Sequence, residues 1–282
     1  MVWTDLRPNM YRRAMTGGHD RGEASGLRGR LSEVYFPALV TAQAPALALR
    51  LGDRATVDDP LFGRSSGMSK LEPRLAEIAD WLSARDATFD NFGFVTGSDR
   101  DVTEGTLTLT TSRGRVRVPV AVVAERRRER EVALRAYYAT RGLRDLHSPR
   151  PELLPPDDQT AVPPPVAAHL DALSRGDVAA VVASFENGAT VRSADGRTHA
   201  KLEPEGGPLT TYYEQLLVGG GAAGSIQTLK NARADDGRTC ALEYTVVRFR
   251  GHDVMPQPGL AVYERGESGL LRSLRVYDDL GP

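Results

Sequence analysis

Gly52-Asp53-Arg54-Ala55-Thr56-Val57-Asp58-Asp59-Pro60 is the stretch on which the reading of this chain turns. Ala55-Thr56-Val57 is a short β-forming run, and the proline behind Asp59 removes a backbone donor and closes the strand. Tyr35 lies 24 residues before Asp59, in a helix-like segment, and the chain between them has room for a helical hairpin leading into the strand. At that separation a carboxylate and a phenol can face one apolar pocket. In an extended segment Asp58 points the opposite way from Asp59, toward solvent. The stretch recurs without its carboxylate as Ala189-Thr190-Val191-Arg192-Ser193.

The recurrence extends outward. Lys70-Leu71-Glu72-Pro73 is echoed by Lys201-Leu202-Glu203-Pro204, and Leu134-Arg135-Ala136-Tyr137 by Leu274-Arg275-Val276-Tyr277. Three matches in the same order point to an internal duplication. Between the copies, His147-Ser148-Pro149-Arg150-Pro151 through Pro163-Pro164-Pro165 is proline-dense and reads as a semi-rigid linker. Residues 1–30 include the polar, glycine-rich run Thr16-Gly17-Gly18-His19-Asp20-Arg21-Gly22-Glu23 and read as a solvated tail. The expected division is a tail over 1–30, one domain over 31–146, a linker over 147–163 and a second domain over 164–282.

With 282 residues, 40% hydrophobic and 26% charged, the chain has room for two ordinary cores. A net charge of −1 gives no field to attract nucleic acid or an anionic membrane. Cys240 is the single cysteine, so no intrachain disulfide can form. There is no long apolar run and no apolar signal core, and a cytoplasmic protein is the simplest reading. Five scattered histidines show no metal-ligand spacing, and no cofactor is expected.

Each half has the same coarse pattern: two helical segments, a short strand, a third helix, then several strands. Leu71, Leu75, Ile78 and Leu82 define one face of the third helix, with Pro73 tolerable in its first turn. Val116, Val118, Val120 and Val122 alternate with Arg115, Arg117 and Pro119, and the run turns apolar at Ala121-Val122-Val123. Such alternation buries one face and solvates the other. The expected architecture is α+β: two tandem cone-shaped domains, each a curved antiparallel sheet wrapped around three helices, with a cavity at the open end.

These residues resemble the superfamily of ketosteroid isomerase, nuclear transport factor 2 and the SnoaL-like polyketide cyclases. The resemblance rests on Gly52 through Pro60 and Leu134-Arg135-Ala136-Tyr137-Tyr138 in the first half. In the second half it rests on Ser174-Arg175-Gly176-Asp177, Ala189-Thr190-Val191 and Leu274-Arg275-Val276-Tyr277-Asp278. It implies Asp59 as general base and Tyr35 as oxyanion or substrate donor, with Phe62, Trp81, Phe92, Val120 and Tyr137 lining the pocket. The place of the family's second oxyanion donor falls at Ala121, a departure from the steroid-isomerising pattern. Pro37, half a turn after Tyr35, is expected to kink the first helix.

The reading is therefore a cofactor-independent isomerase or cyclase acting on a small, apolar, oxygenated metabolite in the first domain. A carboxylate in an apolar cavity is suited to base work, and a buried phenol to holding an oxyanion. Epoxide opening would draw its acid from Asp86 or Asp90, although surface acids at a helix end are the commoner case. The second domain is expected to be a scaffold. There His169 stands where Tyr35 stands and Ser193 replaces Asp59, without the surroundings of a hydrolase nucleophile. Glu243 and Tyr244 lie on a strand, facing either the cavity or a sheet edge. Arg126-Arg127-Arg128-Glu129-Arg130 reads as a solvated hairpin tip, and Gly219-Gly220-Gly221 as a helix stop. The fold equally suits a non-catalytic ligand-binding or protein-interaction module. The tandem is expected to form an internal pseudo-dimer, monomeric or homodimeric as a whole.

Overall fold

The computed structural model describes residues 27–127, 131–141, 143, 150–202, 207–218 and 224–279. Most of the expected tail, Arg128–Arg130 and the Gly219–Gly221 run lie outside them.

The first half runs α1 (Leu31–Val40), α2 (Ala44–Leu51), β1 (Thr56–Asp59), β2 (Gly63–Ser66), α3 (Met68–Ser83), β3 (Thr88–Thr96), β4 (Arg100–Thr111), β5 (Gly114–Arg126) and β6 (Val132–Tyr137). The second half repeats it as α4 (Pro164–Arg175), α5 (Val178–Ala183), β7 (Phe185–Arg192), β8 (Thr198–Ala200), α6 (Gly207–Val218), β9 (Gln227–Asp235), β10 (Thr239–Phe249), β11 (His252–Arg265) and β12 (Leu271–Tyr277). The sheets have matching orders, β2-β1-β6-β5-β4-β3 and β8-β7-β12-β11-β10-β9. Neighbours are antiparallel except for β1 with β6 and β7 with β12, because β1 and β7 enter their sheets from a helical hairpin instead of a β-turn.

Local chemistry repeats as well. The turn between the first two helices needs a left-handed residue, Gly176 at φ +67° in one half and Ala42 at φ +56° in the other. Asp177 caps α5 by accepting from the Ala180 N–H at 2.9 Å. The helical segment of α1 continues through Pro37.

The registers say which residues correspond. Val57 faces Leu134 across β1–β6, and Val191 faces Leu274 across β7–β12, so Asp59 stands with Ser193 and Tyr138 with Asp278. Ala121 faces Tyr137 and Glu104, and Leu260 faces Tyr277 and Glu243, so Glu104 stands with Glu243 and Gly105 with Tyr244. Both halves carry a β-bulge at that point, passing over Phe92 in β3 and Asn231 in β9. The Lys70–Lys201 match does not survive. Lys201 N–H bonds Ala189 O as Gly67 N–H bonds Ala55 O, so Lys201 corresponds to Gly67, and Lys70 lies a turn further on, in α3.

Both faces of each central sheet are covered. Val118, Val120, Val122 and Ala124 enter the core of the first half, whereas Ala121 and Val123 join Tyr137, Val262 and Tyr277 in a third cluster between the sheets. This corrects the expectation of one solvated face: Ala121-Val122-Val123 is uniformly apolar because each side chain meets a different core. Within the interface, Glu243 accepts from Arg135 Nε and the Tyr137 hydroxyl, each at 2.6 Å. Glu104 accepts from Arg275 Nε at 2.7 Å and the Tyr277 hydroxyl at 2.6 Å. The two networks are reciprocal: each half offers a buried glutamate to the Arg-x-Tyr of the other. The proline-rich segment is fastened across the junction. Arg150 grips Asp58 at 2.7 Å, Leu153 is buried between the sheets, and Asn231 Nδ2 donates to Leu154 O at 3.0 Å.

Candidate functional site

In the first half, Tyr35 and Asp59 are both buried, Tyr35 within the hydrophobic core. Tyr35 is 0% exposed and Asp59 1%. Asp59 Oδ1 accepts from the Tyr138 hydroxyl at 2.7 Å, Leu61 N–H at 2.9 Å and Phe62 N–H at 3.3 Å. Asp59 Oδ2 and the Tyr35 hydroxyl are buried without a hydrogen-bond partner. Burial pushes the Asp59 carboxyl up from its ordinary value, against the lowering effect of the Tyr138 bond. Burial and then the Asp59 charge push the Tyr35 hydroxyl far up. So the structure brings Tyr35 and Asp59 into one electrostatically coupled, desolvated group.

What surrounds that group is aromatic. Phe89 stacks on Phe36 at 5.3 Å, and Phe36 meets Tyr35 edge-on at 5.1 Å. Phe89 reaches the interior because β4 has Gly105 beneath it: a Cβ there would stand 2.2 Å from the ring. The other expected lining residues scatter. Val120 is in the core, and Phe62 and Trp81 pack edge-to-face at 5.9 Å against it. Phe92, on the bulge, is 49% exposed beneath the Arg192 guanidinium. Tyr137 faces the second sheet, since strand alternation gives the inward direction to Tyr138. Asp58 is not solvated as expected: it is 2% exposed under Arg64 and Arg150. Asp86 and Asp90 are exposed.

The second half holds a cavity of about 650 Å³, lined by apolar residues including Leu173, Val191, Ile226, Val246 and Leu274. By register Thr228 takes the place of Phe89, and Tyr244 that of Gly105. The Tyr244 ring lies instead against Gly259, where a Cβ would stand 2.5 Å from it. Val116, Arg117, Val118 and Pro119 of the first half contribute to the cavity wall.

The cavity also carries polar groups. Asp278 is 8% exposed, and its Oδ2 accepts from the Tyr244 hydroxyl at 2.8 Å. Burial and then Asp278 push that phenol far above its ordinary range. His169 and Tyr213 are fully enclosed wall residues. Nearer solvent, His199 stacks on Tyr212 at 4.2 Å, and Ser193 donates to Asp195 at 2.5 Å. Thus an acid–tyrosine pair exists in both halves on different strands: Asp59 of β1 with Tyr138 after β6, and Asp278 after β12 with Tyr244 of β10. The sequence reading missed Asp278, although it stood at the end of a matched motif opposite Tyr138. That tyrosine-to-acid exchange was the available signal. Among the described residues no group of three or more His, Cys, Asp or Glu is placed to hold a metal ion. No helix of the described residues is long and apolar enough to cross a membrane.

Each half is an α+β unit of three helices and one six-stranded sheet, as the expected tandem architecture has it. Similar solved structures each match about two fifths of the chain. One is a candidate polyketide cyclase from Sinorhizobium meliloti, 21% identical over 41% of this chain and 94% of its own, TM-score 0.32. A ketosteroid isomerase-like protein from Catenulispora acidiphila, in complex with trimethylamine, is 17% identical over 38% and 84%, TM-score 0.32. An epoxide hydrolase/cyclase-like enzyme of pyran ring formation in salinomycin is 16% identical over 38% and 85%, TM-score 0.31. No family model matches the chain. No curated protein matches it either.

Proposed function

We propose that the chain takes a small, largely apolar, oxygenated metabolite into the second-half cavity and moves a proton on it, as a cofactor-independent isomerase or cyclase. The observation that carries this reading is the Asp278–Tyr244 pair, 2.8 Å apart in the wall of a 650 Å³ apolar cavity. Asp278 takes a proton from the ligand carbon, and Tyr244 passes its own hydroxyl proton to the developing oxyanion while taking up the one Asp278 gained, so both side chains end as they began. The first half serves as an internal partner that completes the wall and holds the sheet behind it. Its Tyr35–Asp59–Tyr138 cluster keeps the same chemical parts, buried in the core.

The test is a panel of enolisable ketones and epoxides with the wild type and Asp278→Asn. The amide keeps the shape and an acceptor oxygen. Ligand affinity should therefore hold within a few-fold while turnover falls by about 10²–10⁴. Binding without turnover by the wild type on every member would favour a second reading, a pure binding module. That reading is supported by the closure of the acid–tyrosine pair in the first half.

A further inference from the structure

The acids and arginines that line the cavity are engaged within the protein, with one exception. Asp278 accepts from the Tyr244 hydroxyl, Asp279 from Thr140 N–H at 2.9 Å, and Asp195 from Ser193 with Arg197 beside it at 3.3 Å. Arg250 donates to Leu216 O and Gln215 O at 3.4 and 3.3 Å, and Arg141 also has a partner. Arg117 is the exception: among the described residues it makes no hydrogen bond and no ion pair.

Its place follows from the strand that carries it. On β5, Ala121 and Val123 face the second sheet, and alternation gives Pro119 and Arg117 the same side. Both line the cavity of the other half. Pro119 lies against the turn before β8, since a Cβ on Gly196 would stand 3.3 Å from its Cγ. Arg117, Asp195 and Arg197 are exposed lining residues and mark the rim, where water and a ligand alike can touch the free guanidinium. The equivalent strand lacks this charge. Pro119 faces Thr106 as Pro258 faces Thr245, so two residues earlier Arg117 stands with Pro256.

We propose that Arg117 binds a carboxylate on the ligand, so that the second-half cavity takes apolar acids with the hydrocarbon inside and the carboxylate at the rim. The planar fork of a guanidinium matches a carboxylate. A single negative charge suits the rim better than a dianion, because Asp195, Asp278 and Asp279 share the wall and repel each added charge. The inference rests on the reading of the cavity as the ligand site. It adds that the first half supplies a specificity-determining residue to that site.

Calorimetric titration of the full chain with 2-naphthoate and with 2-naphthamide, a neutral probe of the same shape, tests it. The naphthoate should bind about fivefold more tightly, by a margin that shrinks at high salt. Arg117→Gln should abolish the preference while leaving the amide within about twofold, and Arg117→Lys should keep part of it. Arg115→Gln removes the same charge from the next exposed position on that side of β5, outside the cavity lining, and should leave the preference intact. Equal affinity of the wild type for the two probes overturns carboxylate recognition and leaves the cavity reading standing. So does a preference that survives Arg117→Gln, or one lost equally in Arg115→Gln. Binding of neither probe overturns both.

Discussion

His169 makes a prediction at the scale of a single residue. In the unfolded chain its imidazole titrates near 6.5, and in the folded protein burial holds it down to about 3. Between those values the unfolded state binds a proton that the native state refuses. Stability is therefore intact above about pH 6.5 and falls as pH is lowered through the window, by up to about 1.4 kcal/mol per unit. Urea midpoints from pH 7 to pH 4 should show this slope, and His169→Leu should flatten it. An unchanged slope in the variant would mean that the ring takes up its proton inside the fold. Residue-level reading of the sequence carried unevenly. Tyr35 and Asp59 do share an interior, as their spacing suggested, because a helical hairpin and a short strand fix that geometry locally. That Phe89 fills the space beside them was not legible, since it depends on Gly105 of the next strand, a contact between distant residues.

At the scale of elements, the difference between the halves is a pair of exchanged volumes on equivalent strands. Phe89 stands over Gly105 in the first half, and Thr228 with Tyr244 leaning toward Gly259 takes their place in the second. Phe89 is partly buried, so Phe89→Ala should cost about 2 kcal/mol and open space next to Phe36. Xenon or benzene binding to the first half of the variant would reveal it, and full collapse of the site would show as a smaller loss and no binding. The succession of helices and strands was legible because α3 has a regular apolar face and β5 begins with period two, whereas the order of strands within each sheet was not. Register was legible only in part. Lys70 and Lys201 matched as letters yet occupy different places, because a four-residue identity holds no hydrogen bonds, whereas Gly67 and Lys201 share one backbone bond to β1 and its counterpart β7.

At the scale of the whole molecule, the reciprocal glutamate networks hold the sheets in one arrangement. Both glutamates are almost wholly buried, at 1% and 2% exposure. Removing Glu243 leaves the buried Tyr137 hydroxyl without its acceptor and Arg135 with Glu125 as its remaining carboxylate. Glu243→Leu should accordingly cost about 3–5 kcal/mol in chemical denaturation, and adding Arg135→Met should recover much of that loss. Independent effects of the two changes would show that the pair is not coupled. The run Ala121-Val122-Val123 reflects this packing, but the alternation before it suggested one solvated face, and Glu104 and Glu243 are ordinary strand positions until the sheets are brought face to face.

The handshake has two hands in every half. Residues 150–282 contain both a glutamate to offer, Glu243, and an Arg275-x-Tyr277 to receive one. A polypeptide of that length should therefore pair with its own twin in solution, remaking the ancestral homodimer from which a fused gene would have descended. Sedimentation should find it at twice its mass, and Glu243→Leu should return it to a single copy. Fusion, on this view, released the two interiors from having to be alike: one copy could bury its acid–tyrosine cluster and the other keep a cavity while the surface joining them stayed under common constraint.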